Sequence, residues 1–182
     1  FPQGLWWIKD RTASNQHQLV DSVRGLDQAL TTPTKGGNQQ YISPSGDSVA
    51  WCWDASDPEK TGFNIITYTG NGTKRTLQTG LNGNTDCVLI KAYGGTDVGG
   101  YLSNSNWIWW NKDIPDNQFF YWQQGSALVN SSGFFDGSPA QNGPGTLTVH
   151  TDPDTNGSSS VYGLDYVAYC WTEIPGFSKF GN

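Results

Sequence analysis

Short apolar or alternating stretches separated by turn-forming clusters run the length of this chain. Leu5–Lys9, Gln18–Ser22, Ser48–Trp53, Phe63–Thr69, Cys87–Ala92, Trp107–Trp110, Phe119–Trp122, Gly145–Thr151 and Asp165–Trp171 each read as a strand. They are bounded by Gly36-Gly37-Asn38, Gly70-Asn71-Gly72, Gly94-Gly95 and Asn142-Gly143-Pro144-Gly145, the residue types that turns demand. No window sustains a 3.6-residue period, so the pattern predicts an all-β, two-sheet antiparallel sandwich or jelly roll with no helix longer than about two turns.

The pattern also repeats. Ser48-Val49-Ala50-Trp51-Cys52-Trp53 returns as Tyr166-Val167-Ala168-Tyr169-Cys170-Trp171, and Leu5-Trp6-Trp7-Ile8-Lys9 is echoed more weakly by Cys87-Val88-Leu89-Ile90-Lys91. The chain therefore divides into two related halves, about 1–61 and 62–182, the second carrying an insertion. Each half alone is too short for a comfortable core, so residues 1–182 are expected to fold as one domain. Small Ala and Cys alternate with bulky residues in both copies of the motif, which predicts two central strands in equivalent places, buried on both faces.

Composition sharpens this picture. With 23 Gly and 9 Pro the chain is poor in helix formers, and its 9 Trp and 14% aromatic content supply apolar area that the scarce aliphatics do not. A net charge of −6 with 10 Lys and Arg spread thinly offers no basic stripe for nucleic acid. The longest apolar runs are far shorter than the ~20 residues of a bilayer span, so no membrane insertion is expected. Three cysteines cannot all pair within one chain. They are read as small core hydrophobes, with a Cys52–Cys170 bridge left open should the two strands be neighbours. The chain starts at Phe1 and holds no Met, which reads as a processed product or a fragment of a longer protein.

Taken in order, Leu5–Thr12, His17–Gly25, Val49–Trp53, Tyr68–Thr73, Tyr166–Trp171 and Gly176–Gly181 resemble the tandem-repeated domain of virion and tail proteins of marine tailed bacteriophages, cyanophages especially. That domain is similar to concanavalin-A-like lectin sandwiches. The resemblance covers about half of the residues. It departs between Gly25 and Val49, where the connection is short, and after Lys91, where Gly94-Gly95 and the Trp-rich Asn106–Lys112 stand. It implies a virion or extracellular location, a structural or adhesive role, other virion proteins and copies of itself as partners, and no catalytic residues to carry over. A carbohydrate-binding module of a secreted polysaccharide-active enzyme is the alternative, and a depolymerase with its own active site the third reading.

Candidate chemistry is sparse. Glu59 and Glu173 stand alone, and Asp54 with Asp57 or Asp113 with Asp116 lie in Pro-containing turns, so a glycosidase pair is poorly supplied. His17 and His150 lack evident partners for a triad or metal hydrolase. Asp152-Pro153-Asp154-Thr155-Asn156-Gly157 matches the opening of a calcium loop. Two readings stand: a structural calcium on Asp152, Asp154 and Asn156, or an Asx-rich turn. An EF-hand is excluded because Gly163 occupies the position of the bidentate Glu. Stacking chemistry is better supplied: Asn106–Asn111 and Tyr121–Gln124 mix aromatics with amides as sugar sites do. Trp110 and Tyr121, with Asn111 and Gln123, are the expected exposed carbohydrate platform. The overall expectation is a non-enzymatic binding or surface-building domain, with host-surface polysaccharide as the small-scale ligand.

Overall fold

The computed structural model describes residues 2–32, 35–125 and 127–181. Two antiparallel sheets pack face to face, forming the sandwich that the alternation requires. The first is built from β1 (Gly4–Asp10), β2 (His17–Asp21), β3 (Gly25–Thr32), β4 (Gln39–Gln40) and β5 (Ser48–Asp54), in the order β4-β3-β2-β1-β5. A one-turn helix, α1 (Pro58–Thr61), crosses to the second sheet. That sheet holds β6 (Phe63–Thr69), β8 (Cys87–Val98), β9 (Ile108–Asn111), β10 (Gln118–Tyr121), β11 (Val129–Asn130) and β13 (Tyr162–Trp171), in the order β11-β10-β9-β8-β13-β6. The remaining strands, β7 (Arg75–Gln78) and β12 (Thr146–Val149), pair into a separate ribbon. With α2 (Ser132–Phe135) this ribbon covers the outer face of the second sheet.

The two sheets repeat each other in order and register. β5 pairs with β1 so that Trp53 faces Leu5, Cys52 faces Trp6 and Trp51 faces Trp7. β13 pairs with β8 so that Trp171 faces Cys87, Cys170 faces Val88 and Tyr169 faces Leu89. These are the positions that the sequence repeat aligns, and the next strands continue the match: Asp21 of β2 lies opposite Leu5 as Asn111 of β9 lies opposite Cys87. Both residues end their strands by accepting the N–H two residues on, Val23 in one case and Asp113 in the other.

The repeated strands do not share an environment, however, and that expectation is corrected. β13 is central and buried along its last six residues, whereas β5 is the edge of its sheet and largely exposed. Among the described residues no ribbon outside the first sheet corresponds to β7 and β12. Cys170, on the outward parity of β13, is therefore sealed beneath Leu147, Val149, Phe134 and Phe135, while its counterpart Cys52 faces solvent. All three cysteines are free thiols, and Cys52 and Cys170 sit in different sheets, so the bridge left open above is not formed. Burial pushes the Cys87 thiol up to about 12 and Cys170 higher still, which makes both poor nucleophiles.

Between the sheets, Leu5, Leu19 and Leu30 of the first pack against Cys87, Leu89, Val167 and Tyr169 of the second. The repeat-related Trp53 and Trp171 meet there edge to face, with ring centroids 5.9 Å apart. One charged cluster is buried in the same layer. Arg24 Nε lies 2.6 Å from Asp21 Oδ2, and both side chains are 0% exposed. Tyr169 Oη donates to Asp21 Oδ2 at 2.8 Å and accepts from Arg24 Nη2 at 3.1 Å, so a strand end of one sheet is tied to the central strand of the other. Removing one member strands a buried charge. Asp21→Asn is expected to cost about 3–5 kcal/mol, and Asp21→Leu combined with Arg24→Met clearly less; urea unfolding of the three proteins checks the order.

Candidate functional site

The candidate site is a set of aromatic cavities around Trp109. On β9, Trp109 takes the inward parity, pairs with Leu89 on one side and faces Phe120 of β10 on the other. The Trp109 and Phe120 rings lie 5.6 Å apart, tilted by 37°, and both are half-buried. Three spaces share Trp109 as a wall. The first, about 290 Å³, lies between the sheets and is lined by Trp7, Trp53, Trp122, Trp171 and Phe180 together with aliphatic side chains. The second, about 320 Å³, is an open groove formed with Phe120, Tyr121, Trp122 and Gly125. The third, about 370 Å³, lies toward Asn111, Asp113, Ile114, Phe120 and Leu128. An aromatic pair flanked by one apolar and one mixed groove can stack on a flat, partly apolar ligand and leave its polar rim to neighbouring amides and carboxylates.

The sequence-derived picks fall on both sides of this geometry. Tyr121 lines the open groove and Asn111 the polar one. Trp110 does neither: it is 3% exposed, packed in the core beneath the outer ribbon, and its indole N–H has no partner. The aromatic that overhangs the groove is Trp109, one residue from the expected Trp110, because the outward face of β9 is covered. Gln123 works as a strut. Its Oε1 accepts from Trp107 N at 3.0 Å and its Nε2 donates to Asn106 Oδ1 at 2.6 Å. Trp109, Phe120 and Trp122 were missed by the sequence reading. Parity holds the signal: Ile108 and Trp110 make an all-apolar pair, whereas Trp109 shares its face with Asn111.

Asp152, Asp154 and Asn156 do not converge as a ligand set. Asp154, 1% exposed, accepts from Asn106 N at 2.6 Å and from Asn106 Nδ2 at 2.8 Å. Asp152 Oδ1 accepts from Asp154 N, and Asn156 turns the other way to donate to Asn71 Oδ1 and Thr73 O. Among the described residues no group of three or more His, Cys, Asp or Glu is placed to hold a metal. The loop is a hydrogen-bonded junction that includes the second pick, since Gln123 props Asn106 and Asn106 holds Asp154. Burial raises both carboxyl groups, Asp152 to about 7, and it lowers the neighbouring Lys91 ammonium to about 7. Lys91 is sealed on Ser105, donating to its carbonyl and hydroxyl oxygens at 2.6 Å each.

Asp54, Asp57, Glu173 and both histidines make local contacts. Asp57 pairs with Lys60, Asp54 caps Ser56 N, and Glu173 accepts from Phe180 N while facing Lys112. His17 accepts from the Trp7 indole at 2.7 Å, and His150 contacts Thr151.

A family model described as a domain of unknown function, DUF7483, matches residues 34–182, and the chain belongs to that family. No curated protein and no solved structure matches the chain.

The junction generates a pH prediction. Asp152 holds its proton in the folded state up to about 7 but loses it near 3.8 when unfolded, so the folded state binds more protons in that window. Stability therefore falls as pH rises from about 4 to about 7 and gains nothing from this group above it. Asp152→Asn is expected to flatten that slope, which melting temperatures measured across the window would reveal.

Proposed function

We propose that this DUF7483 member is a non-catalytic binding module that takes a neutral glycan on the Trp109–Phe120 pair, as a structural or adhesive part of a phage virion or another extracellular surface. The observation that carries the reading is the cross-strand ring pair set between an aromatic groove and a mixed one. Sugar rings present apolar C–H faces to aromatic rings and hydroxyls at their edges. Tyr121 lines the space on one side of the pair, and Asn111 with Asp113 the space on the other, and these groups would meet those hydroxyls. The net charge of −6 favours a neutral over an acidic polysaccharide. The virion assignment extends the resemblance described above, in which such domains occur in many copies. Shallow single sugar sites are weak, so many copies presented together would supply useful adhesion through effective concentration.

A hydrolase reading has one observation in its favour, the raised Asp152 carboxyl, which suits a general acid near neutral pH. Asp152 nevertheless lines none of the spaces around Trp109, and its Oδ1 is engaged by Asp154 N. The non-catalytic reading is therefore preferred.

The test uses immobilised neutral glucan and galactan polysaccharides. Wild-type protein fixed on beads in many copies is expected to be retained, the free chain weakly so, and Trp109→Ala to lose about tenfold or more, a stacking contact's share. No reducing ends should accumulate. Retention unchanged in Trp109→Ala contradicts the site, and sugar release abolished by Asp152→Asn contradicts the non-enzymatic assignment.

A further inference from the structure

The two sheets leave unpaired edges on one flank of the sandwich. β5 ends the first sheet and β6 the second, with Trp53 and Phe63 of these strands in ring contact at 6.4 Å. The register match makes β5 the counterpart of β13, yet β13 has β6 on its second side, and β5 has no strand there among the described residues. Ser48–Trp53 carries no charge and no proline, and its pairing with β1 runs without a bulge. Free edges normally carry such guards, because a bare row of N–H and C=O groups templates pairing with another strand.

The side chains around this edge are apolar as well. Trp51 is 46% exposed, Ala50 and Cys52 are exposed, and Phe177 is 82% exposed. Beside them lies a groove of about 400 Å³ lined by Trp53, Phe63, Ile174 and Phe177, with Asp54 and Lys60 on its rim.

We propose that this flank is the interface of a homodimer in which β5 of two copies pair antiparallel across a twofold axis. Charge favours a second copy as the occupant. In a pairing centred on Trp51, the only charged residue of the strand, Asp54, falls opposite the neutral Ser48 of the other copy and next to its Asp47, whose carbonyl accepts from Arg11 N, so an arginine stands beside the two carboxylates at each end of the paired strands. Asp54 and the Asp57-paired Lys60 both line the groove, so each copy brings a residue of either sign to the patch. The same pairing sets the two Cys52 residues at diagonal positions about 7–8 Å apart. Cys87 and Cys170 are buried, which leaves Cys52 as the accessible thiol. The dimer would present two Trp109 platforms, the smallest step toward avidity.

The experiment follows the mass of the folded chain by light scattering over a concentration series, with a bismaleimide of about 8 Å span as crosslinker. The expected result is a concentration-dependent dimer, crosslinked in wild type but not in Cys52→Ser. Ala50→Lys, which puts a charge on an already exposed edge position, should weaken the dimer about tenfold or more with little change in melting temperature. A chain that stays monomeric at every concentration overturns the proposal and leaves the edge to a different partner. So does a dimer that persists in Ala50→Lys and yields no Cys52 crosslink.

Discussion

The sandwich depends on how its two sheets are joined, and the least forgiving joint is the buried cluster of Asp21, Arg24 and Tyr169. Apolar packing between the sheets is non-directional and would tolerate some sliding, whereas a desolvated carboxylate and guanidinium are costly unless their partners sit in fixed positions. Tyr169 supplies that fixed position from the central strand of the second sheet. The Arg24 guanidinium also holds the Leu19 carbonyl and the Asn38 side chain, so the β2–β3 turn is locked along with it. Burial keeps the Tyr169 phenol protonated and therefore a donor to Asp21. With the register fixed, Trp53 meets Trp171 and the Trp-lined space beside Trp109 has its walls.

A single asymmetry then distributes roles between two sheets of the same order. The second is covered on both faces, between the first sheet and the β7–β12 ribbon. Its bulky residues are mostly core, including Trp110 and Tyr166. Among the described residues the first is covered on one face only and ends in β5 without a further strand. Equivalent residues consequently behave differently: Cys170 is an inert filler and Cys52 a surface thiol. The functional surfaces proposed above lie where this cover stops, at the overhang of Trp109 and Phe120 and along the bare β5 edge.

Much of the fold was legible because alternation and turn residues agree. Nine predicted strands all exist, within a few residues of their ends, and the two helices are four residues each. β3, β4, β7 and β11 were missed. Gly25–Thr32 lacks the β-branched and aromatic residues that mark a strand and is drawn into the sheet by its hairpin with β2, a tertiary effect. The repeat was legible as register but not as environment, since nothing in Val49–Trp53 says that the neighbouring place beyond it is vacant. At the candidate site, aromatic abundance pointed to the segments that line the spaces around Trp109. Which face of β9 is covered, however, depends on the ribbon formed with residues 75–78, whose pairing with 146–149 leaves no mark in either strand alone.

Ligand is proposed to meet this domain at Trp109 and not elsewhere on its aromatic surface. Each of the 9 Trp residues contributes one indole N–H resonance to a nitrogen–proton correlation spectrum. Titration with neutral glucan and galactan oligosaccharides is predicted to move the signals of Trp109 and Trp122 saturably while those of Trp6, Trp51 and Trp110 stay in place. Saturable shifts centred on Trp6 or Trp51, or nine signals unmoved by every oligosaccharide, would contradict the account.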